Sequence, residues 1–244
     1  MLRSGIHDAD FYRLMWESLK AEGRWQGEIW NRRKNGELYA EWLTINTLFG
    51  EDGLPYRRVA LASDVTENKK QQDLLWQQAN FDMLTLLPNR RMFQDRLDVE
   101  LKKLRRSGTK LAVLFMDLDR FKEVNDTLGH DKGDQLLRQA AKRILTCVRE
   151  SDTVARLGGD EFTVILTDIE NAASVERVAQ SIVASLSQSF ELDGHLADVS
   201  VSLGIAICPD HAGESAVLVQ KADQAMYAAK QAGRNGYQFS RSAI

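Results

Sequence analysis

The stretch "ARLGGDEFTVIL", residues 155–166, constrains the fold of this chain more than any other. Mostly apolar runs at 154–157 and 162–166 have the length and branched content of buried strands. Between them Gly158 and Gly159 permit the positive-φ turn of a short hairpin. A turn alone needs one polar residue, yet Asp160 and Glu161 stand together where the second strand resumes. An apolar strand at 110–116 delivers another acid, Asp117, and after Leu118 comes Asp119. Burying a carboxylate at a strand end is costly without a partner. If that strand lies beside the hairpin, Asp117 meets acids 43 and 44 residues downstream. Few hard oxygen ligands of this kind suit Mg²⁺ completed by substrate phosphates. Two plainer readings stay open: solvated acids on a turn, and Asp119 as the cap of a short helix at Phe121.

From Phe81 onward helices and strands alternate. A helix at 88–106, opened by Pro88, precedes the strand at 110–116. A helix at 133–148 follows, with Leu136, Leu137, Ala140, Ile144, Leu145 and Val148 on one face. After the hairpin, Val175, Val178, Ala179, Ile182, Val183 and Leu186 mark another helix, then come a strand at 198–207 and a helix at 217–229. Strand, helix, hairpin, helix, strand is the split arrangement of an α+β fold. The expectation is a ferredoxin-like, palm-like central antiparallel sheet with flanking helices.

The first 66 residues predict a helix at 10–21 and three antiparallel strands, turned at Asn35-Gly36 and Asp52-Gly53. A polar helix through Asn80, capped by Asp64 or Thr66 and carrying Leu74, Leu75 and Trp76, reads as a linker. The layout is therefore 1–66, a linker at 67–80, and a main domain at 81–244.

A hydrophobic fraction of 43% with 27% charged residues predicts a packed, soluble protein. With 32 Lys and Arg against 35 Asp and Glu there is no basic bias for a nucleic-acid partner, so a phosphate ligand must be met by a few placed cations or a metal. Cys147 and Cys208 are too few for a disulfide framework and point to a reducing compartment. No apolar run approaches the ~20 residues that span a bilayer. The expectation is a cytoplasmic protein without direct membrane insertion, or the cytosolic part of a longer one.

"RLGGDEFTVIL", with "MDLDRFKEVNDTLGHDKGDQLL", "DMLTLLPNRRMF" and "KADQAMYAAKQAGRNGY", resembles the GGDEF family of diguanylate cyclases across residues 80–239. "GRWQGEIWNRRKNGELYAEWLTIN" with "RRVALASDVTENK" resembles the C-terminal half of a PAS sensor domain. Half a sheet leaves an edge that another copy, another segment or further residues must cover.

The first resemblance implies that two GTP condense into cyclic di-GMP and two pyrophosphates across a homodimer. It implies Mg²⁺, with Mn²⁺ as an alternative, on Asp117, the Leu118 carbonyl and Asp160. Glu161 supports that site, and Asp160 is also the proposed base for the 3′-hydroxyl. Lys122 stabilises phosphoryl charge, while Lys230 and Arg234 reach the outer phosphates. Asn125 and Asp134 read guanine, whose N1 and N2 hydrogens a carboxylate accepts, and His130 lies near the nucleotide. Taken singly, Asn125 ends a helical turn, His130 is a loop histidine and Asp134 caps a helix. Arg149-x-x-Asp152 matches the family's product-inhibition motif. The alternative function is a non-catalytic GTP- or cyclic di-GMP-binding regulatory module. Another nucleotidyl cyclase on a palm-like scaffold is disfavoured by the guanine-reading pair. One departure is Leu86, where the family commonly has glycine. If that position needs positive φ, leucine costs about 1–2 kcal/mol, and Asp82 with Arg90 is the pair expected to brace the turn.

Overall fold

The computed structural model describes residues 4–241, and the chain divides into two compact units, Met1–Gln77 and Gln78–Ile244. In the first, helix α1 (Ala9–Glu22) starts at Asp8, whose carboxylate accepts from Phe11 N, and stops at left-handed Gly23. Strands β1 (Arg24–Arg32), β2 (Leu38–Phe49) and β3 (Pro55–Asp64) form an antiparallel sheet in that order. Helix α2 (Thr66–Asn80) follows. The Thr66 hydroxyl accepts from Ala40 N while Asp64 accepts from Thr66, so the helix start is tied to β2.

In the second unit α3 (Arg90–Ser107) leads to β4 (Lys110–Asp119), α4 (Phe121–Leu128) and α5 (His130–Thr146). The hairpin β5 (Thr153–Gly158) and β6 (Glu161–Ile169) precedes α6 (Ala172–Leu186) and the small ribbon β7 (Phe190–Leu192) and β8 (His195–Ala197). Strand β9 (Ser200–Cys208), α7 (Ser215–Gln231) and β10 (Gly236–Phe239) complete it. The sheet runs β10-β9-β4-β6-β5, antiparallel except for β10, which lies parallel to β9. The α+β class with a central sheet is thus as expected; the ribbon and β10 were not read from the sequence.

Both sheet faces are covered. Ala112, Leu114, Met116 and Leu118 of β4 pack with residues of α4, α5 and α6, while Leu111, Val113 and Phe115 pack with α3 and α7. That is why β4 reads as an unbroken apolar run rather than an alternating one. Gly204 of β9 allows α7 to lie directly on the sheet. A Cβ there would come within 2.0 Å of Ala222 O and 2.1 Å of Met226 N.

Two boundaries differ from expectation. Pro88 does not open α3; it bridges to Phe81, and the helix begins after Asn89, whose side chain accepts from Met92 N. Helix α5 begins at His130 rather than 133, so Asp134 sits inside it and is no cap. Among the described residues no helix is long and apolar enough to cross a membrane.

Candidate functional site

The site is built at the C-terminal end of β4. Period-two alternation puts Asp117 and Asp119 on the α7 side of the sheet, with Leu118 turned to the opposite core. Asp117 stands opposite Glu161 in β6 and opposite Ser202 in β9. Leu118 N donates to the Asp160 carbonyl at 3.2 Å, holding the hairpin tip against the strand end. The tip requires glycine: Gly158 and Gly159 have φ of 142° and 52°. The strand and hairpin therefore meet as expected.

Each β4 acid faces a cation from the C-terminal segment. Lys230, at the end of α7, places its Nζ 2.7 Å from Asp117 Oδ1; Arg234 Nε lies 4.0 Å from Asp119 Oδ1. Burial pushes the Asp117 carboxyl up, and the negative charges of Asp160 and Asp119 add to this. Lys230 opposes them without cancelling them.

Asp119 does not cap α4. It is only 3% exposed and accepts from Ser200 Oγ at 2.6 Å, Ser202 Oγ at 2.8 Å and Asn235 N at 3.2 Å. The helix starts instead behind Arg120, at φ 62° with no side-chain cap. Three donors supply what a buried carboxylate needs, which a helix terminus alone does not. Asp119 thus ties β4 to β9 and to the turn carrying Arg234.

The hairpin is braced by Arg156, which sequence reading did not single out. Its Nε and Nη2 donate to the Gly159 carbonyl at 3.0 and 2.7 Å, and Nη1 reaches both oxygens of Asp82 at 2.9 Å. Asp82 also accepts from Thr85 N and Oγ1. Burial alone raises the Asp82 pKa, but the Thr85 and Arg156 bonds outweigh it and the net direction is down. The expected Asp82–Arg90 pair is therefore not formed. Arg90 lies 3.2 Å from Glu161, because α3 starts two residues later and turns it toward the hairpin. Leu86 adopts φ 60°, so the condition under which leucine is strained at this position is met, and it is 71% exposed.

Helices α4 and α5 carry the expected base-reading residues. Asn125 and Asp134 are half-buried, while Lys122 and His130 are exposed. Gly133 allows the two helices to approach: a Cβ there would fall 1.9 Å from Asn125 Oδ1. The Asn125 amide thus rests on the backbone next to Asp134. With the helix expected to start at 133, Gly133 read as its first residue; the observed start at His130 puts it in the interior, where a glycine costs stability unless something packs against it.

Arg149 and Asp152 lie elsewhere. Asp152 accepts from Arg149 N at 2.9 Å and from Thr167 N at 3.2 Å, so its carboxylate shapes the turn entering β5. Thr153 pairs with Ile165, toward the strand end where β4 begins. Seven residues of β4 separate that end from Asp117, about 23 Å at the usual rise. Arg149, Asp152 and Arg177 line a cleft of about 180 Å³ there.

Among the described residues no three His, Cys, Asp or Glu side chains form a ready metal cage. The donors present at the β4 end are the Asp117 and Asp160 carboxylates and backbone oxygen. All are hard and few, which fits a small divalent ion that keeps water or phosphate in its shell.

The family model described as diguanylate cyclase, GGDEF domain, matches residues 79–236. The diguanylate cyclase TpbB of Pseudomonas aeruginosa is 48% identical over 158 residues, covering 64% of this chain and 36% of that relative. The chain thus spans little more than a third of that curated relative's length. The solved structure of the isolated GGDEF domain of TpbB superposes with a TM-score of 0.65 at 46% identity, covering 66% of this chain and 94% of that one. The coiled coil and GGDEF domain of DgcB from Caulobacter crescentus, solved with c-di-GMP, gives a TM-score of 0.65 at 31% identity, covering 72% and 93%.

Proposed function

The chain belongs to the GGDEF-domain family of diguanylate cyclases, and on that premise we propose that it condenses two GTP into cyclic di-GMP with release of two pyrophosphates. The observation that carries the reading is the register of Asp117 against Glu161, with Leu118 N bonded to the Asp160 carbonyl. It brings Asp117 and the adjacent pair Asp160 and Glu161, which lie 43 and 44 residues downstream, to one strand end.

In this reading Asp117, Asp160 and the Leu118 carbonyl would hold Mg²⁺ or Mn²⁺, with Glu161, oriented by Arg90, in support. A bound ion would supply neutralisation of phosphate charge. Asp160 accepts the proton of the 3′-hydroxyl. Lys122, in the first turn of α4, faces charge that develops on the transferred phosphoryl group, and Lys230 and Arg234 bind the outer phosphates. Asp134 accepts from guanine N1 and N2 while Asn125 both donates and accepts; adenine lacks that donor pair. His130 flanks the nucleotide at the start of α5. One active face binds one GTP, so the reaction needs a second copy facing the first. Residues 1–66, read as a partial PAS domain, and the helix at 67–80 bring the copies together.

Arg149 and Asp152 form the product site in the cleft at the far end of the sheet. The Arg149 fork suits phosphate or guanine, and the distance from Asp117 makes this a control site rather than part of the reacting centre.

Purified protein incubated with Mg²⁺ and GTP, followed by chromatography of the products, tests the reading. Cyclic di-GMP is the expected product, and Arg149→Ala should prolong its accumulation. GTP bound but unchanged would instead establish the regulatory module.

A further inference from the structure

Lys230 has been read as a phosphate ligand, yet its ammonium lies 2.7 Å from Asp117 Oδ1. We propose that Lys230 is a stand-in cation, holding the place beside Asp117 that a divalent metal takes and leaving it when a triphosphate arrives. The inference rests on reading Asp117 as a metal ligand.

Three features support it. First, the pair is sheltered, with side chains 27% and 16% exposed, and sits where Asp117, Asp119 and Asp160 concentrate negative charge. Sheltered negative charge of this kind requires a counter-ion. Second, the helix that carries Lys230 is fixed one turn earlier, where Met226 N meets Gly204. The ammonium is thus delivered to the strand end by packing of the backbone. Third, a lysine stem is flexible and its charge compact, so the ammonium can transfer from a carboxylate to a phosphate without movement of α7. Arg234 is held less tightly, 4.0 Å from Asp119.

The consequence is a positive coupling between metal and nucleotide. A metal arriving alone must displace Lys230, whereas a triphosphate offers Lys230 a second anion and frees Asp117. By linkage each ligand then favours the other.

The test is Mn²⁺ binding to the nucleotide-free full chain, read from the free-ion electron paramagnetic resonance signal. Lys230→Met should bind Mn²⁺ roughly tenfold more tightly than wild type, the scale of one charge-assisted hydrogen bond. Lys230→Arg, which keeps the cation, should restore weak binding, and Arg234→Met should change affinity less than about twofold, as expected of a longer, more exposed pair. Asp117→Asn in either background should remove the site. If Lys230→Met folds poorly by circular dichroism, Lys230→Gln takes its place. Equal Asp117-dependent affinity in wild type and Lys230→Met, or an equal gain in Arg234→Met, overturns the stand-in role while leaving the metal site intact. Mn²⁺ binding that survives Asp117→Asn, or no binding in any variant, overturns the metal reading and the inference with it.

Discussion

In the second unit β4 has a hydrogen-bonded strand on each edge and helices on both faces, and of its ten residues only Lys110 and Asp117 escape full burial. In the first unit every one of the ten residues of β3 is exposed, among them Tyr56, Val59 and Leu61. Both strands are apolar in the middle and both end in an acid. What separates them is the number of elements packed around each. Closure of the second sheet makes Asp117 costly and therefore in need of partners. Asp64, at the end of the open strand, is held down to about 2 by hydrogen bonds from Thr66 and then Arg33 while remaining in water. The character of an acid at a strand end is set by what surrounds it.

The sharpest way to break this contrast is to add a side chain where the closed sheet has no room. Gly204→Val should cost on the order of 3 kcal/mol or more, because the colliding atoms are helix backbone and cannot rotate aside. Leu61→Ala on the open strand should change stability by less than about 0.5 kcal/mol. Urea unfolding of the two variants checks both values, and a comparable loss at Leu61 would mean that β3 is covered in solution.

Next in size is the buried brace. Arg156→Met leaves Asp82 partly buried without its cation and should cost about 3 kcal/mol. The pH dependence follows from the direction of the Asp82 shift. A carboxyl with a lowered folded pKa contributes stability above its unfolded value, near 3.9, and loses it as pH falls through the lower folded value. The gap in melting temperature between wild type and Asp82→Asn should therefore be widest near neutrality and close below about pH 4. A gap that stays constant to pH 2.5 would show that the charge contributes nothing.

The smallest effect tests strain rather than packing. Leu86→Gly removes a left-handed leucine but adds freedom to the unfolded chain, so a net gain of about 0.5 kcal/mol is expected. A loss in thermal unfolding would mean that the exposed Leu86 side chain is buried against something in solution.

Much of the site was legible because it depends on short-range rules. The Gly158-Gly159 turn, the buried strand before Asp117 and the three-strand order of the first unit each follow from neighbours in the chain. At Leu86 the chain's own residues gave no sign of a positive φ; only the glycine usual in the family raised the question. Helix starts were less legible. Pro88 suits a first helical position, but its bridge to Phe81 took it out of α3 and left Asn89 as the cap. The glycines at 133 and 204 were visible as residues, yet their purpose was not, since each is required by an atom of another element.

By itself the sequence determined the alternation of elements, the hairpin tip and the presence of acids at a strand end, since these follow from periodicity and backbone freedom within a few residues. Only the tertiary structure decided which charges meet. Asp82 joined Arg156 rather than Arg90, Asp119 took two serines and a backbone amide rather than a helix end, and Lys230 settled on Asp117. Those partners are distant in sequence, and their choice depends on strand register and on how closely α7 approaches the sheet. The Coulomb attraction that selects among them falls with distance in space, which the order of residues does not record.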